Sequence, residues 1–239
     1  VGDYGKLVVE LIGHLPLVEQ IEAYWTSGQI EKALPLAEKS ISEVDIQRSR
    51  AVIDVLAGFR STRIFKFVQR RFNETKNGYL KEKFISSIGT KRAPVIFQLL
   101  LTALTDDNNA VRGSAAKALG QLGSHEAVGP LIERLEDRDE NVRHDALIAL
   151  GKIGDIRAYD AVAAVFTDPA KRRREKMAAA ATLLAFQRQE GLDFLQQLAD
   201  SSRANTRKGV AEVLGAFFTE SGAQLLLKLL DDEELSVKA

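Results

Sequence analysis

His144 and Asp145 stand side by side in NVRHDALIALGKIGD, residues 141–155, and a second pair, His125 and Glu126, lies a short way upstream. An imidazole next to a carboxylate suits a non-haem iron site, provided that further ligands converge on the same point. Material for that convergence is scarce. The chain has three histidines, His14, His125 and His144, and no cysteine, so disulfides, thiolate ligands and a thiol nucleophile are excluded. The other chemistry-bearing stretch is the basic run Lys171-Arg172-Arg173-Arg174-Glu175-Lys176, with Arg203, Arg207 and Lys208 about one stretch later. Clustered cations of this kind are what phosphates or an acidic partner would meet. No G-x-S-x-G, H-E-x-x-H or P-loop pattern occurs.

The elements that carry these residues recur. NAVRGSAAKALGQLG, residues 109–123, matches NVRHDALIALGKIG, residues 141–154, at a step of 31. Leu119-Gly120 becomes Leu150-Gly151, and Gly123 becomes Gly154. The second residue of the Leu-Gly slot falls at 57, 89, 120, 151, 183 and 215, steps of 31 or 32 throughout. A period of this length is the signature of a stacked-repeat architecture.

Each unit reads as two helices. An Asp/Asn-rich turn such as DDNNAVR or DRDENVR supplies N-cap oxygens to the first helix. Gly123 and Gly154 suit its left-handed end. The second helix is short, with apolar residues at i, i+3, i+4 and i+7, as in Val128, Leu131, Ile132 and Leu135. No alternating β-branched runs with hairpin turns occur, so essentially no sheet is predicted. One such pair cannot bury its apolar faces alone, and stacking pairs buries them between neighbours, giving an all-α solenoid of antiparallel helix pairs.

The pattern VRxxAxxALGxLG, an A-V-x-x-L helix and then Leu-x-Asp is similar to HEAT repeats, and resembles most the short bacterial kind named for phycobilisome lyases. The resemblance is strongest over 99–168, fair over 77–104 and 199–232, and weak over 45–73 and 169–200. It implies a right-handed superhelical α-solenoid. It fixes a fold far better than a function. HEAT-like deoxyhypusine hydroxylases place His-Glu pairs at the position of His144-Asp145 in several repeats to hold two irons. Here the matching positions are Gly113-Ser114, Glu175-Lys176 and Lys208-Gly209. One pair cannot build such a centre, and His125-Glu126 falls between helices, so both read as structural and no metal or cofactor is expected. DNA-glycosylase relatives of the solenoid use a basic concave groove. The run here falls on a turn and a first helix, with no aromatics interleaved, which favours a solvated turn.

Two periodic columns remain. Arg112, Arg143, Arg174 and Arg207 are expected to meet turn acids such as Asp106, Asp107, Asp137, Asp168 and Asp200, locking neighbouring units together. On the second helices one column reads Arg70, Thr102, Glu133, Ala164, Gln196 and Lys228, and another Lys66, Gln98, Gly129, Asp160, Leu192 and Gln224. Second helices usually line the concave side in this family, so these columns are expected to face a groove. Mixed charge there suits a protein or peptide better than a polyanion. Phe65, Phe67 and Phe72, with Phe59, read as helical core.

With 33 basic and 33 acidic residues in 239, the chain has no net charge and lacks the basic excess usual in a dedicated DNA binder. No apolar run reaches the length of a membrane span. Residues 1–44 are expected to form a helical cap around the Ser27-Gly28 turn, 45–232 about six repeats, and 233–239 the start of a further, truncated repeat. The expected function is a non-enzymatic cytoplasmic scaffold whose partner is another protein. Its candidate groove comprises Lys66, Arg70, Gln98 and Thr102 with Glu133, Asp160, Gln196 and Lys228. The alternatives are phycobilin lyase-type or phycobilisome-associated activity, implied by the resemblance, and nucleic-acid binding through Lys171, Arg172, Arg173 and Arg203.

Overall fold

A computed structural model describes residues 16–42, 45–58, 61–89, 91, 93–217 and 219–230. His14, Phe59 and the expected start of a further repeat at 233–239 lie outside the described residues. Among those residues every regular element is a helix and no strand occurs, so the fold is all-α. The chain forms two compact units, Val1–Leu99 and Leu100–Ala239.

In the first unit, α1 (Leu17–Thr26) and α2 (Ile30–Ser40) flank a turn in which Gly28 has φ 77°. Then come α3 (Ile46–Ala57), α4 (Thr62–Glu74) and α5 (Gly78–Ile88). Asp45 caps α3 by accepting from Arg48 N–H at 2.9 Å, and Asn77 caps α5 by accepting from Leu80 N–H at 3.0 Å. The apolar stripe of α4 buries Ile64, Phe65, Phe67, Val68 and Phe72, so these aromatics are core. The 32-residue step reappears on the outside: Arg63 pairs with Glu31 and Arg70 with Glu38, each 2.9 Å apart. Both pairs are solvent-exposed, where screening leaves little net stabilisation.

Helix α6 (Pro94–Ala103) follows. The second unit continues with α7 (Asn109–Leu122), α8 (Val128–Glu133), α9 (Glu140–Ile153) and α10 (Tyr159–Thr167), followed by α11 (Arg173–Ala185), α12 (Gln189–Ala199), α13 (Ala204–Gly215) and α14 (Glu220–Leu230). First helices α7, α9, α11 and α13 pack side by side in that order, and each second helix packs on its neighbours, as α10 and α12 do on α11. This is the α-solenoid arrangement.

Local chemistry explains the boundaries. Asn108 Oδ1 accepts from the N–H of Ala110 at 2.9 Å and of Val111 at 3.4 Å; Asp139 Oδ1 repeats this with Asn141 and Val142. Gly123 and Gly154 end α7 and α9 at φ 65° and 70°. Helix α11 has neither device: Arg172 precedes it with no side-chain cap, and Gln187, at φ 60°, makes the left-handed turn after it. It compensates with burial. Its residues Met177 to Leu184 are all buried, because other helices cover it on nearly every side.

Gly120 and Gly151 precede those helix-end glycines by three residues. They lie inside α7 and α9 at points of close approach. A Cβ on Gly120 would come 2.7 Å from Ala149 Cα, so α7 and α9 touch backbone to backbone there.

Candidate functional site

The arginine column is real but shifted. Arg112 donates to both oxygens of Asp137, at 2.8 and 2.7 Å, with each side chain only 4% exposed. It also donates to the Asp106 carbonyl, six residues back, at 2.8 Å. Arg143 and Arg207 make the same six-residue bond, to Asp137 O and Ser201 O, each at 2.8 Å. Arg174 does not. It donates to the Asn141 side chain at 2.7 Å, near the surface. The slot instead holds Glu175, 32 residues after Arg143 and 32 before Arg207. Glu175 is 2% exposed and accepts from Arg143 Nε at 2.8 Å and Nη2 at 3.2 Å. The extra residue that makes this step 32 rather than 31 falls in the turn before α11, so counting from the turn misassigns the column. Asp168, expected as an arginine partner, accepts from Ala170 N–H within its own turn.

The pairs hold their charges. Burial works against an ionised Asp137, but the bonds from Arg112 and the Asp139 N–H outweigh it, so its pKa lies below the ordinary value. Glu175 is likewise lowered, chiefly by the hydrogen bonds from Arg143. Both arginines are raised in turn, Arg112 chiefly by Asp137 and Arg143 chiefly by Glu175.

One concavity of the second unit lies on the first helices. It is a cleft of about 580 Å³ between α7, α9, α11 and α13. Phe217, just after α13, packs in the core cluster that includes the cleft residues Met177 and Val213. A Cβ on Gly151 of α9 would lie 2.4 Å from the Phe217 ring, so the chain two repeats on folds back against α9 across α11. Ile148 packs into the same core cluster. This cleft lies on the first helices, and the residues expected to form a groove stand on the second helices.

The floor of the cleft is apolar: Ile148, Met177, Val213 and Ala216. Asp145, Met177 and Gly209 form one column at a 32-residue step. A Cβ on Gly209 would meet Met177 Cε at 2.7 Å, and one on Gly113 would meet Asp145 Oδ2 at 2.7 Å, so two glycines make room for the side chains that line the cleft. Asp145 is 8% exposed and pairs with Lys117 Nζ at 3.1 Å. His144 Nδ1 is 3.6 Å from Asp145 Oδ1 and is buried without a hydrogen-bond partner. No third ligand joins them: among the described residues no group of three or more His, Cys, Asp or Glu is placed to hold a metal ion. His125 lies elsewhere, its Nδ1 2.7 Å from Asp155, which also pairs with Arg157 and is strongly lowered by it.

Cations line the cleft unevenly. Lys117 comes from α7, Lys152 from α9, Arg173 and Arg174 from α11; the carboxylates are Asp145 and, on α13, Glu212. Arg173 donates to Thr206 Oγ1 at 3.1 Å, a neutral acceptor, as Arg174 does to Asn141. The rest of the basic run is tied to the preceding repeat. Lys171 pairs with Glu136 at 3.0 Å, and Arg172 with Glu140. Arg203 is exposed before α13.

Lys66, Arg70, Gln98 and Thr102 are exposed, and so are Glu133, Asp160, Gln196 and Lys228, all on second helices. Arg70 is bonded to Glu38, and Lys228 to Asp200 at 2.6 Å. Leu192 of the same columns is core instead. Phe97, Leu101 and Tyr159 are half-buried. Arg188 stacks 4.8 Å over the Tyr159 ring. Sequence reasoning missed Phe217 and Val213, whose places depend on packing between distant repeats. Met177 and Glu175 were legible by stepping 32 residues along the helices.

Among the described residues no helix is long and apolar enough to cross a membrane. A family profile described as HEAT repeats matches residues 97–181 and 174–239, more than half of the chain. A segment of 73 residues is 44% identical to the phycocyanobilin lyase subunit alpha of Picosynechococcus sp.; it covers 28% of this chain and only 27% of that relative. The fold is similar to the complex of CpcE and CpcF of phycocyanin lyase from Nostoc sp., with TM-score 0.65 at 19% identity, covering 86% of this chain and 84% of that one. It is also similar to YibA of E. coli, with TM-score 0.58 at 17% identity, covering 100% and 95%.

Proposed function

The chain belongs to the HEAT-repeat family, and from that premise we propose that it is a non-catalytic cytoplasmic scaffold that binds a protein partner along its helical surface. The observation that carries the reading is the lock between repeats. Arg112–Asp137 and Arg143–Glu175 are buried between successive units, so the second unit presents its surface already formed. A pre-formed surface binds with little ordering cost. In this reading residues 1–44 cap the array and 45–232 form the repeats. The exposed second-helix residues, from Lys66 and Arg70 to Gln196 and Lys228, contribute contacts of mixed charge. The test is affinity capture with the 239-residue chain from its native lysate, against a variant with Arg70, Glu133 and Gln196 reversed or enlarged. One discrete protein, retained by the parent chain and lost by the variant, supports the reading. Nucleic acid or nothing in both captures overturns it.

A second reading rests on the 44% identity to a phycocyanobilin lyase subunit. The chain would then handle a bilin. Mixing it with free phycocyanobilin should shift and sharpen the pigment's absorption, and an unchanged spectrum overturns this reading.

A further inference from the structure

The cleft on the first helices combines three properties. It is concave, its floor is apolar, and its charge is polarised. Four cations against two carboxylates line it in a chain with no net charge. They are also segregated: all four cations stand on α7, α9 and α11, while the α13 wall offers Glu212, Asn205 and Thr206. Two arginines buried or half-buried between repeats are answered by carboxylates, Arg112 by Asp137 and Arg143 by Glu175. Arg173 and Arg174 are answered only by the neutral oxygens of Thr206 and Asn141. Lys152, at the end of α9, is exposed beside them.

From this arrangement we propose that the cleft seats an amphipathic helix of a protein partner, with its apolar ridge on Ile148, Met177 and Val213 and an acidic flank against Lys152, Arg173 and Arg174. The inference rests on the scaffold reading but assigns a surface of its own. A volume of about 580 Å³ accommodates the side chains of an apolar ridge, and helix-in-groove docking reads through anchors at i, i+3, i+4 and i+7. Cations on two neighbouring helices, Lys152 on α9 and Arg173 and Arg174 on α11, suit several carboxylates along one flank of a partner helix. Charge matching of this kind sets orientation and excludes basic competitors. Gly209 and Gly113 keep the floor open: a methyl group at either would press on Met177 or Asp145.

The test is selection of helical peptides from a display library, built on a monomeric helix with anchor and flank positions randomised, against the 239-residue chain. Winners should carry leucine or aromatic anchors with Asp or Glu on one flank. Fluorescence anisotropy of one labelled winner should then show at least tenfold weaker binding to R173E/R174E and to K152E. Replacing the peptide's acids by lysine should restore binding to R173E/R174E. All three positions are exposed, so the variants should melt like the parent, which is checked by circular dichroism. Winners without acidic enrichment, or binding unaffected by both variants, overturn the inference. Peptides lost instead on Glu133→Lys with Gln196→Glu leave the scaffold reading standing and move its site to the second helices. If no peptide is selected and free phycocyanobilin alone is bound, with R173E/R174E weakening it, the cleft takes a small anion and both readings fall.

Discussion

Glu175 gives its carboxylate to Arg143 from the position where the repeat otherwise carries an arginine. In the preceding repeat the acid comes from the turn, as Asp137 for Arg112; here it comes from within the next first helix. The Glu175 side chain is 3% exposed and that of Arg143 19%. Glu175→Gln should therefore destabilise the chain by about 3 kcal/mol, because it strands a buried charge. Glu175→Arg, which restores the repeat's own residue, should cost more, since two guanidiniums would then face each other. The double variant Arg143→Glu with Glu175→Arg should recover part of the loss. Urea denaturation of the parent, Arg143→Glu, Glu175→Arg and the double variant measures the coupling, and additive losses would mean that the pair is not energetically linked.

Acid should loosen the same joints. Asp137 and Glu175 have folded pKa values below their ordinary 3.8 and 4.5. A carboxylate with a lowered folded pKa contributes stability that is fully present above its unfolded value and is lost as pH falls through the folded one. The melting temperature should thus stay level from about pH 8 to 5 and fall below about pH 4. Arg143→Met reverses the sign at Glu175: an unpaired buried carboxylate has a raised pKa, and protonation relieves it. The gap in melting temperature between Arg143→Met and the parent should narrow as pH falls from about 6 to 4, and a constant gap would contradict the assignment.

The helix pairs were legible in the sequence because the period, the Asn108 and Asp139 caps and the Gly123 and Gly154 ends are all local signals. Chemistry within a few residues sets them. The arginine column was half legible. Its first two members follow from a step of 31, but the turn before α11 has one residue more, and a column counted from the turn lands on Arg174 while the helix places Glu175. The cleft was not legible. Its lining comes from the first helices of four successive repeats, and the contact of Phe217 with Gly151, 66 positions apart in the numbering, is encoded by no local pattern either. The sequence marked the glycine but not its occupant.

That contact ranks three glycine substitutions. A methyl on Gly120 would meet Ala149 backbone at 2.7 Å, and backbone cannot step aside. Gly120→Ala should cost about 3 kcal/mol, the upper end for overpacking. Gly151→Ala would meet the rim of the Phe217 ring at 2.4 and 2.6 Å and should cost about 1–2 kcal/mol, because a ring edge can shift. Phe217→Leu should relieve it, so that the pair is less destabilised than the two singles predict. Gly129, in α8, has nothing within 4 Å of its missing Cβ, and Gly129→Ala should stabilise by about 0.5–1 kcal/mol through helix propensity. Thermal melts of the three variants decide the order.

Asp139 should prove a stronger cap than Asn108, although both close their helices in the same way. Asn108 serves only the N–H groups of Ala110 and Val111. Asp139 serves those of Asn141 and Val142, and its other oxygen accepts from Asn109 Nδ2 of the preceding repeat at 2.5 Å. The hydrogen bond from Asn109 is the chief cause that lowers its pKa. Asn108→Ala should cost about 1 kcal/mol, the usual loss of a cap. Asp139→Ala should cost about 2 kcal/mol, since it also removes a link between repeats. Asn109→Ala should bring the two closer: in that background Asp139→Ala falls toward the cost of an ordinary cap. Asp139→Asn keeps an acceptor for the helix N–H groups and should lie between parent and alanine. Hydrogen exchange at Val142 reads the cap directly, and equal protection in Asp139→Ala and the parent would show that the α9 start is held by packing alone.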